Sequence, residues 1–294
     1  MNVLLALVGI AGVSASGPLM AGTQAPALAI ALWRNLLATA VIVPVATIRK
    51  RDELRRVDRS DLAYCALAGL MLACHFGTWV TALKLTSVAA ATALVCTQVG
   101  WVVLLDRLRG GTIPRAVVAG ILVSFSGVLV ISGVDLTLSV RALVGDLCAL
   151  AGGLFAAVYM ITGARVRRRL STTTYTMLCY GMCTLVLAAA CLVSGREVVG
   201  FGLGTWAGIV AVTVLAQLLG HSVFNHLLAV MSPAVVSLLL LLEVPAAALL
   251  AGLFLGQTPP IGVYVGLVLI LVGLAVVLTR TEAEKQATPP YPGD

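Results

Sequence analysis

Long apolar runs separated by short polar breaks dominate the chain. Reading between the breaks gives ten, at about Val3–Ala21, Pro26–Thr47, Leu62–Leu83, Val88–Leu105, Pro114–Gly133, Ala142–Ala164, Thr173–Val193, Thr205–Ala229, Pro233–Leu255 and Pro260–Thr279. A helix needs roughly 20 mostly apolar residues to cross a bilayer. In lipid, a single segment satisfies its own backbone groups only as a helix. The runs therefore predict an all-α integral membrane protein with ten transmembrane helices. Composition agrees: 60% of the 294 residues are hydrophobic, 11% are charged, and mean hydropathy is +1.07. Soluble domains carry about 25% charged residues and cover themselves with polar groups. Soluble enzymes, disordered chains and nucleic-acid binders are excluded on this ground. Connections such as Leu85-Thr86-Ser87 and Val230-Met231-Ser232 make their flanking helices antiparallel neighbours.

The net charge of +7 is informative through its placement. Arg49, Lys50, Arg51, Arg55, Arg56 and Arg59 follow the second run; Arg107, Arg109 and Arg115 the fourth; Arg165, Arg167, Arg168 and Arg169 the sixth; Arg280 and Lys285 the tenth. Against these fifteen, the opposite side holds Lys84, Arg141 and Arg196. The positive-inside rule then places both termini in the cytoplasm, and the expected location is a bacterial cytoplasmic membrane. The basic loops add an electrostatic attraction to anionic headgroups. The first run lacks a positive leading region and is longer than a signal-peptide core, so it reads as a span. A start codon upstream of Met1 is also compatible with it. The polar stretch Glu282–Asp294 is expected to be disordered.

The seven cysteines (Cys65, Cys74, Cys96, Cys148, Cys179, Cys183 and Cys191) lie within or at the ends of apolar runs, and none forms a Cys-x-x-Cys. They read as small buried thiols rather than a disulfide framework or metal site, and no cofactor is expected.

The sequence repeats at a spacing of about 145 residues. Thr86-Ser87-Val88-Ala89 aligns with Met231-Ser232-Pro233-Ala234, and Thr97-Gln98-Val99-Gly100 with Leu242-Glu243-Val244-Pro245. After a one-residue shift, Gly120 and Gly127 align with Gly266 and Gly273. Each half holds five runs, an odd number, so the copies are expected to sit in the membrane with opposite orientation. Such inverted repeats place a transport site near the midplane, between the halves. The expected units are residues 1–137, residues 138–280 and a cytoplasmic tail, 281–294.

The same residues carry a family resemblance. Leu227 to Pro245 and Gly262 to Gly273 resemble the ninth- and tenth-helix signatures of the EamA family of the drug/metabolite transporter superfamily. Trp33-Arg34-Asn35-Leu36-Leu37-Ala38 resembles its aromatic-Arg motif in the second helix. The resemblance implies a two-repeat carrier that exports metabolites such as amino acids or related compounds. Departures are Gly100 where the family has a fourth-helix proline, and Asp106-Arg107 and Gln257 where it has glutamates. Gly100 is expected to remove a kink and leave the fold intact.

A charge at mid-bilayer costs about 2.5–3.5 kcal/mol on insertion scales, so each one needs a reason. Glu243 stands two residues before Pro245, which frees a backbone carbonyl and bends the helix. It fits either a proton or cation site or a structural acid, and its repeat mate Gln98 is neutral. Arg34 fits a bidentate carboxylate clamp, an ion pair with an acid such as Asp146, or an outward-snorkelling side chain. His75 and Trp79, and His221 and Asn225, are each spaced i, i+4 and share a helix face; they are candidate cavity linings or interhelical bonds. The histidines are also candidate proton relays. His226 is expected near the interface. Ser14, Ser16, Pro18 and Tyr159 are further cavity candidates, and Gly152-Gly153 with the repeat glycines permit close helix contact.

No Gly-x4-Gly-Lys-Ser/Thr is present, so ATP does not drive this chain. The expectation is a secondary transporter of a small-molecule substrate, with protons as the coupling ion, the bilayer as surroundings and a homodimer compatible. Uptake or exchange of a larger polar solute such as a nucleotide sugar is the alternative. A membrane-embedded enzyme fits less well, because the intramembrane acids and histidines are scattered singly.

Overall fold

The computed structural model describes residues 2–108, 110 and 115–287. Among the described residues every regular element is a helix. The first half holds α1 (Asn2–Ser14), α2 (Ser16–Gly22), α3 (Ala27–Arg49), the short α4 (Arg51–Arg55), α5 (Arg59–Ala82), α6 (Val88–Val95), α7 (Gln98–Leu108) and α8 (Arg115–Leu138). The second half opens with α9 (Val140–Val166) and α10 (Thr172–Val193). Next come α11 (Leu203–Val212), a π-helical stretch over Thr213–His221, and α12 (Ser222–Leu227). Last are α13 (Pro233–Leu239), a 3-10 turn over Leu240–Leu242, α14 (Glu243–Leu255) and α15 (Ile261–Ala287).

Eight helical stretches among the described residues are long and apolar enough to cross a membrane. The fifth and tenth expected runs correspond to α8 and α15, whose described apolar stretches, Val118–Gly127 and Ile261–Gly273, are shorter. Pro114 lies outside the described residues. The last helix continues to Ala287, into the stretch expected to be a disordered tail; residues 288–294 lie outside the described residues.

Serines start several helices by accepting a backbone hydrogen bond. Ser139 accepts from Ala142 N at 3.0 Å and Ser171 from Thr174 N at 3.4 Å. The paired turn serines do the same at equivalent places: Ser87 accepts from Ala90 N at 3.1 Å and Ser232 from Val235 N at 3.3 Å. Ser171 is tied in turn to the connection after α3, because its N–H donates to Glu53 at 2.5 Å. Burial alone would raise the Glu53 carboxyl, but the Ser171 and Thr174 hydrogen bonds outweigh it and hold it below its usual value.

Glycines set the closest helix crossings. A Cβ on Gly127 would lie 2.4 Å from Gly266 O, and one on Gly273 would lie 2.3 Å from Gly120 O. The four repeat glycines thus bring α8 and α15 together, with Ser124 Oγ donating to Ile270 O at 3.2 Å. Gly153 lets α9 approach the end of α6, where its Cβ would meet Val95 O at 2.7 Å. Large apolar side chains such as Leu185, Leu192, Leu253 and Phe254 point outward and exposed. An apolar exterior of this kind suits hydrocarbon rather than water.

The fourth run corrects one expectation. It breaks at Cys96–Thr97, although Gly100, standing in place of the family's proline, was expected to remove a kink. Thr97 explains it: its hydroxyl donates back to Leu94 O at 2.6 Å, and its N–H also bonds Leu94 O, at 3.2 Å. A threonine that bonds the backbone locally competes with the helical ladder.

Candidate functional site

The two breaks meet. Cys96 Sγ, at the break between α6 and α7, donates to Leu240 O at the 3-10 turn, 3.7 Å away. That carbonyl lies beside the one Pro245 leaves without its helical donor. Gln98 and Glu243 therefore stand at equivalent positions, each the first residue of the helix after its break. Both line one small cavity inside the bundle.

Also lining it are His75, Trp79, Tyr159 and His221. His75 and Trp79 share a face of α5, their rings stacked at 5.6 Å with an interplanar angle of 18°. His75 Nδ1 lies 3.0 Å from Gly152 O. A carbonyl only accepts, so Nδ1 carries the hydrogen and Nε2 is left as the acceptor in the neutral ring. His221 ends the π-helical stretch and sits 6.4 Å from the His75 ring. Such stretches often occur at functional places; here the widened turn leaves Gln217 O to accept from the Ser222 hydroxyl at 3.1 Å.

Three candidates lie outside the cavity wall. Asn225 is buried behind it and accepts from the Tyr159 hydroxyl. Ser14 bonds its own helix at Ile10 O, 2.7 Å away, while Ser16 beyond the break faces the cavity. Arg34 is wholly buried. Its Nε donates to Gln217 Oε1 at 2.8 Å, Nη1 reaches Met20 Sδ at 3.3 Å, and the guanidinium lies 4.1 Å over the Phe76 ring. Phe76 in turn meets His221 edge-on at 5.1 Å, so Arg34 stands behind the cavity rather than in it. His226 sits at an exposed edge beside Thr172, 3.3 Å away.

Sequence reasoning missed Gln217 and Cys96. Gln217 holds Arg34 and also donates to Asn35 Oδ1 at 3.0 Å. Its signal was available: a polar amide in an apolar run, four residues before His221. Cys96 gives no such signal, because only the break places it at the cavity.

The cavity volume is about 40 Å³, room for about one water, whose share of liquid volume is about 30 Å³. Glu243 Oε1 and Trp79 Nε1, both on its lining residues, make no hydrogen bond, and neither does Arg34 Nη2 behind it. An unmet buried polar group costs about 1–3 kcal/mol, so the two cavity residues offer an acceptor and a donor to whatever enters.

The bundle thus holds a pocket, with several polar side chains in its wall, at the junction of two broken helices. The model of the EamA-like transporter family matches residues 1–133 and 143–279. The chain belongs to the EamA family and is a multi-pass membrane transporter. It is 26% identical to an uncharacterized transporter of Archaeoglobus fulgidus, over 83% of this chain and 85% of that one. It is 21% identical to an uncharacterized transporter of Clostridium kluyveri, over 81% and 79%. A solved crystal structure shares the fold with TM-score 0.67 and 21% identity, covering 98% of this chain and 99% of the other. The family and these relatives point to a transporter, not an enzyme.

Proposed function

We propose that the protein is a ten-helix secondary transporter built from two inverted five-helix repeats. It exports a small metabolite, amino acid-like or related, in exchange for protons across a bacterial cytoplasmic membrane, with both termini cytoplasmic. The observation that carries this reading is the convergence of polar groups from both halves on one small cavity, with an unpartnered Glu243 oxygen among them. The repeat is supported by the glycine crossings, in which Gly127 packs on Gly266 and Gly273 on Gly120; replacing both members of one contact by their repeat mates gives the other contact, as a pseudo-two-fold axis requires. Orientation is supported by the one-sided Lys and Arg distribution. Glu243 is the proton carrier, since an intramembrane carboxyl in a polar pocket is the usual relay group. The repeats rock about this midplane site. None of the residues found to line the cavity is Arg or Lys, which disfavours a multiply anionic nucleotide sugar.

The test is counterflow in proteoliposomes loaded with a metabolite mixture, followed by flux of each hit under an imposed pH gradient. Glu243→Gln is expected to fold, to lose the response to the gradient and to lose net export. A Glu243→Gln protein with unchanged flux and pH response refutes the assignment.

A further inference from the structure

Two clasps of related construction hold helices that border the central cavity, α2 through Ser16 and α9 through Tyr159. On one side the wall is α2. Its Ser16 faces the central cavity, while Pro18, Leu19 and Gly22 line a second, less enclosed cavity of about 610 Å³. The carbonyls at the end of α2 are held by Lys84, just past the end of α5. Its Nζ donates to Thr23 O at 2.6 Å and Ala21 O at 3.1 Å. Arg141 donates to Lys84 O at 3.1 Å and steadies the connection. On the other side, Arg167 at the end of α9 reaches the end of α12. Its Nε donates to Asn225 O at 2.8 Å, a second nitrogen to Leu170 O and a third to Thr172 Oγ1 at 2.7 Å.

The 145-residue offset relates the two clasps. It carries Gly22, the end of α2, onto Arg167, and Lys84 onto Ala229, just past α12. Each clasp joins the ends of the first and third spans of one half, with the cation on the third span in one case and on the first in the other. In both, a cationic side chain holds main-chain carbonyls near a helix end, where helix carbonyls lack intrahelical donors.

We infer that Lys84 and Arg167 are the two latches of the transport cycle. This rests on the central cavity being the transport site. Releasing Lys84 lets α2 swing about the break at Ala15 and joins the central cavity to the 610 Å³ space. The central cavity alone is far below the roughly 300–1,000 Å³ of small-molecule sites, and the joined space falls within that range. The neighbouring segments differ in freedom. A Cβ on Gly12 in α1 would lie 2.4 Å from Leu215 O, a backbone atom, whereas the nearest neighbours of one on Gly17 in α2 would be side chains, those of Val88 at 3.1 Å, Thr92 at 3.4 Å and Leu83 at 3.8 Å. Thus α1 is fixed against the π-helical stretch while α2 rests on side chains that can yield. Releasing Arg167 opens the opposite end.

Cys96 is a native reporter, because it lines the central cavity and is 2% exposed. The experiment is labelling of Cys96 by a membrane-impermeant maleimide in right-side-out and inside-out vesicles, read on the Cys96 peptide by mass spectrometry. Lys84→Met is expected to raise labelling about tenfold from one face and Arg167→Met from the other, within the usual range of conformational coupling. Lys84→Arg, which keeps a cation able to reach both carbonyls, keeps the slow wild-type rate. Lys84→Gln is the second variant if Lys84→Met does not fold. Labelling that is unchanged in the variants, or raised equally from both faces, overturns the latches. Flux measured in parallel separates this from the reading beneath it. One-sided labelling with flux blocked by Cys96 modification supports both. One-sided labelling with flux intact on fully modified Cys96 refutes the transport-site assignment, and with it the latches' part in transport, while the motion of α2 stands.

Discussion

Replacing Gly273 by alanine tests whether the α8–α15 crossing is set by backbone contact. The new Cβ would lie 2.3 Å from Gly120 O, 2.4 Å from Ser124 Oγ and 2.6 Å from Ser124 N. Ordinary contact begins near 3.4 Å, so the helices must part locally by about 1 Å, a displacement that packed interiors resist. Two of the three atoms belong to the backbone and cannot rotate aside, and the Ser124–Ile270 hydrogen bond is stretched by the same movement. Overpacking costs about 1–3 kcal/mol, and alanine returns about 1 kcal/mol of helix propensity. The net expectation is a loss of up to about 2 kcal/mol, a fall of up to several degrees in Tm, whereas the control should gain. Gly181→Ala is the matched control. It makes the same change inside α10, where nothing lies within 4 Å of the Cβ, and is expected to raise stability by up to about 1 kcal/mol. Thermal unfolding in detergent with a thiol-reactive dye reads both, since the seven free cysteines are buried or half-buried. A Gly273→Ala protein as stable as Gly181→Ala would refute the close-contact account.

Gln217→Leu strips Arg34 Nε and Asn35 Oδ1 of a shared partner. Each buried group left unmet costs about 1–3 kcal/mol, so the variant is expected to lose folded protein on size exclusion, while Gln217→Glu retains more of it. Trp79→Phe keeps the ring on His75 but removes the unpartnered Nε1–H. Its Tm should stay near wild type while the KM for exported substrate rises roughly fivefold, the worth of about one hydrogen bond. Glu53 is held below its usual value. Its stabilisation is therefore complete above its unfolded pKa, near the ordinary 4.5, and is lost as pH falls through the lower folded value. Glu53→Gln should cost about 1 kcal/mol at pH 7, and the gap in Tm to wild type should close under acid.

The apolar runs, and with them an all-helical membrane fold, were legible because they are a property of the chain alone. A run of about 20 apolar residues is placed most stably across a bilayer as a helix. The candidate residues were legible for a related reason: Glu243, Gln98, His75, Trp79, Tyr159 and His221 are polar or amphipathic groups in apolar runs, each needing an explanation where it stands. What they do together was not legible. In a helix apolar on every face, periodicity does not say which side turns inward, so only packing placed these six at one cavity while leaving Arg34 and Asn225 behind its wall. The break at Cys96–Thr97 came from a threonine hydroxyl bonding its own backbone rather than from a proline. The latch positions of Lys84 and Arg167 arise where helix ends distant in sequence meet. Local chemistry determined the spans and the suspects; contacts between residues far apart in the chain decided the cavity, because those interactions exist only once the helices have packed.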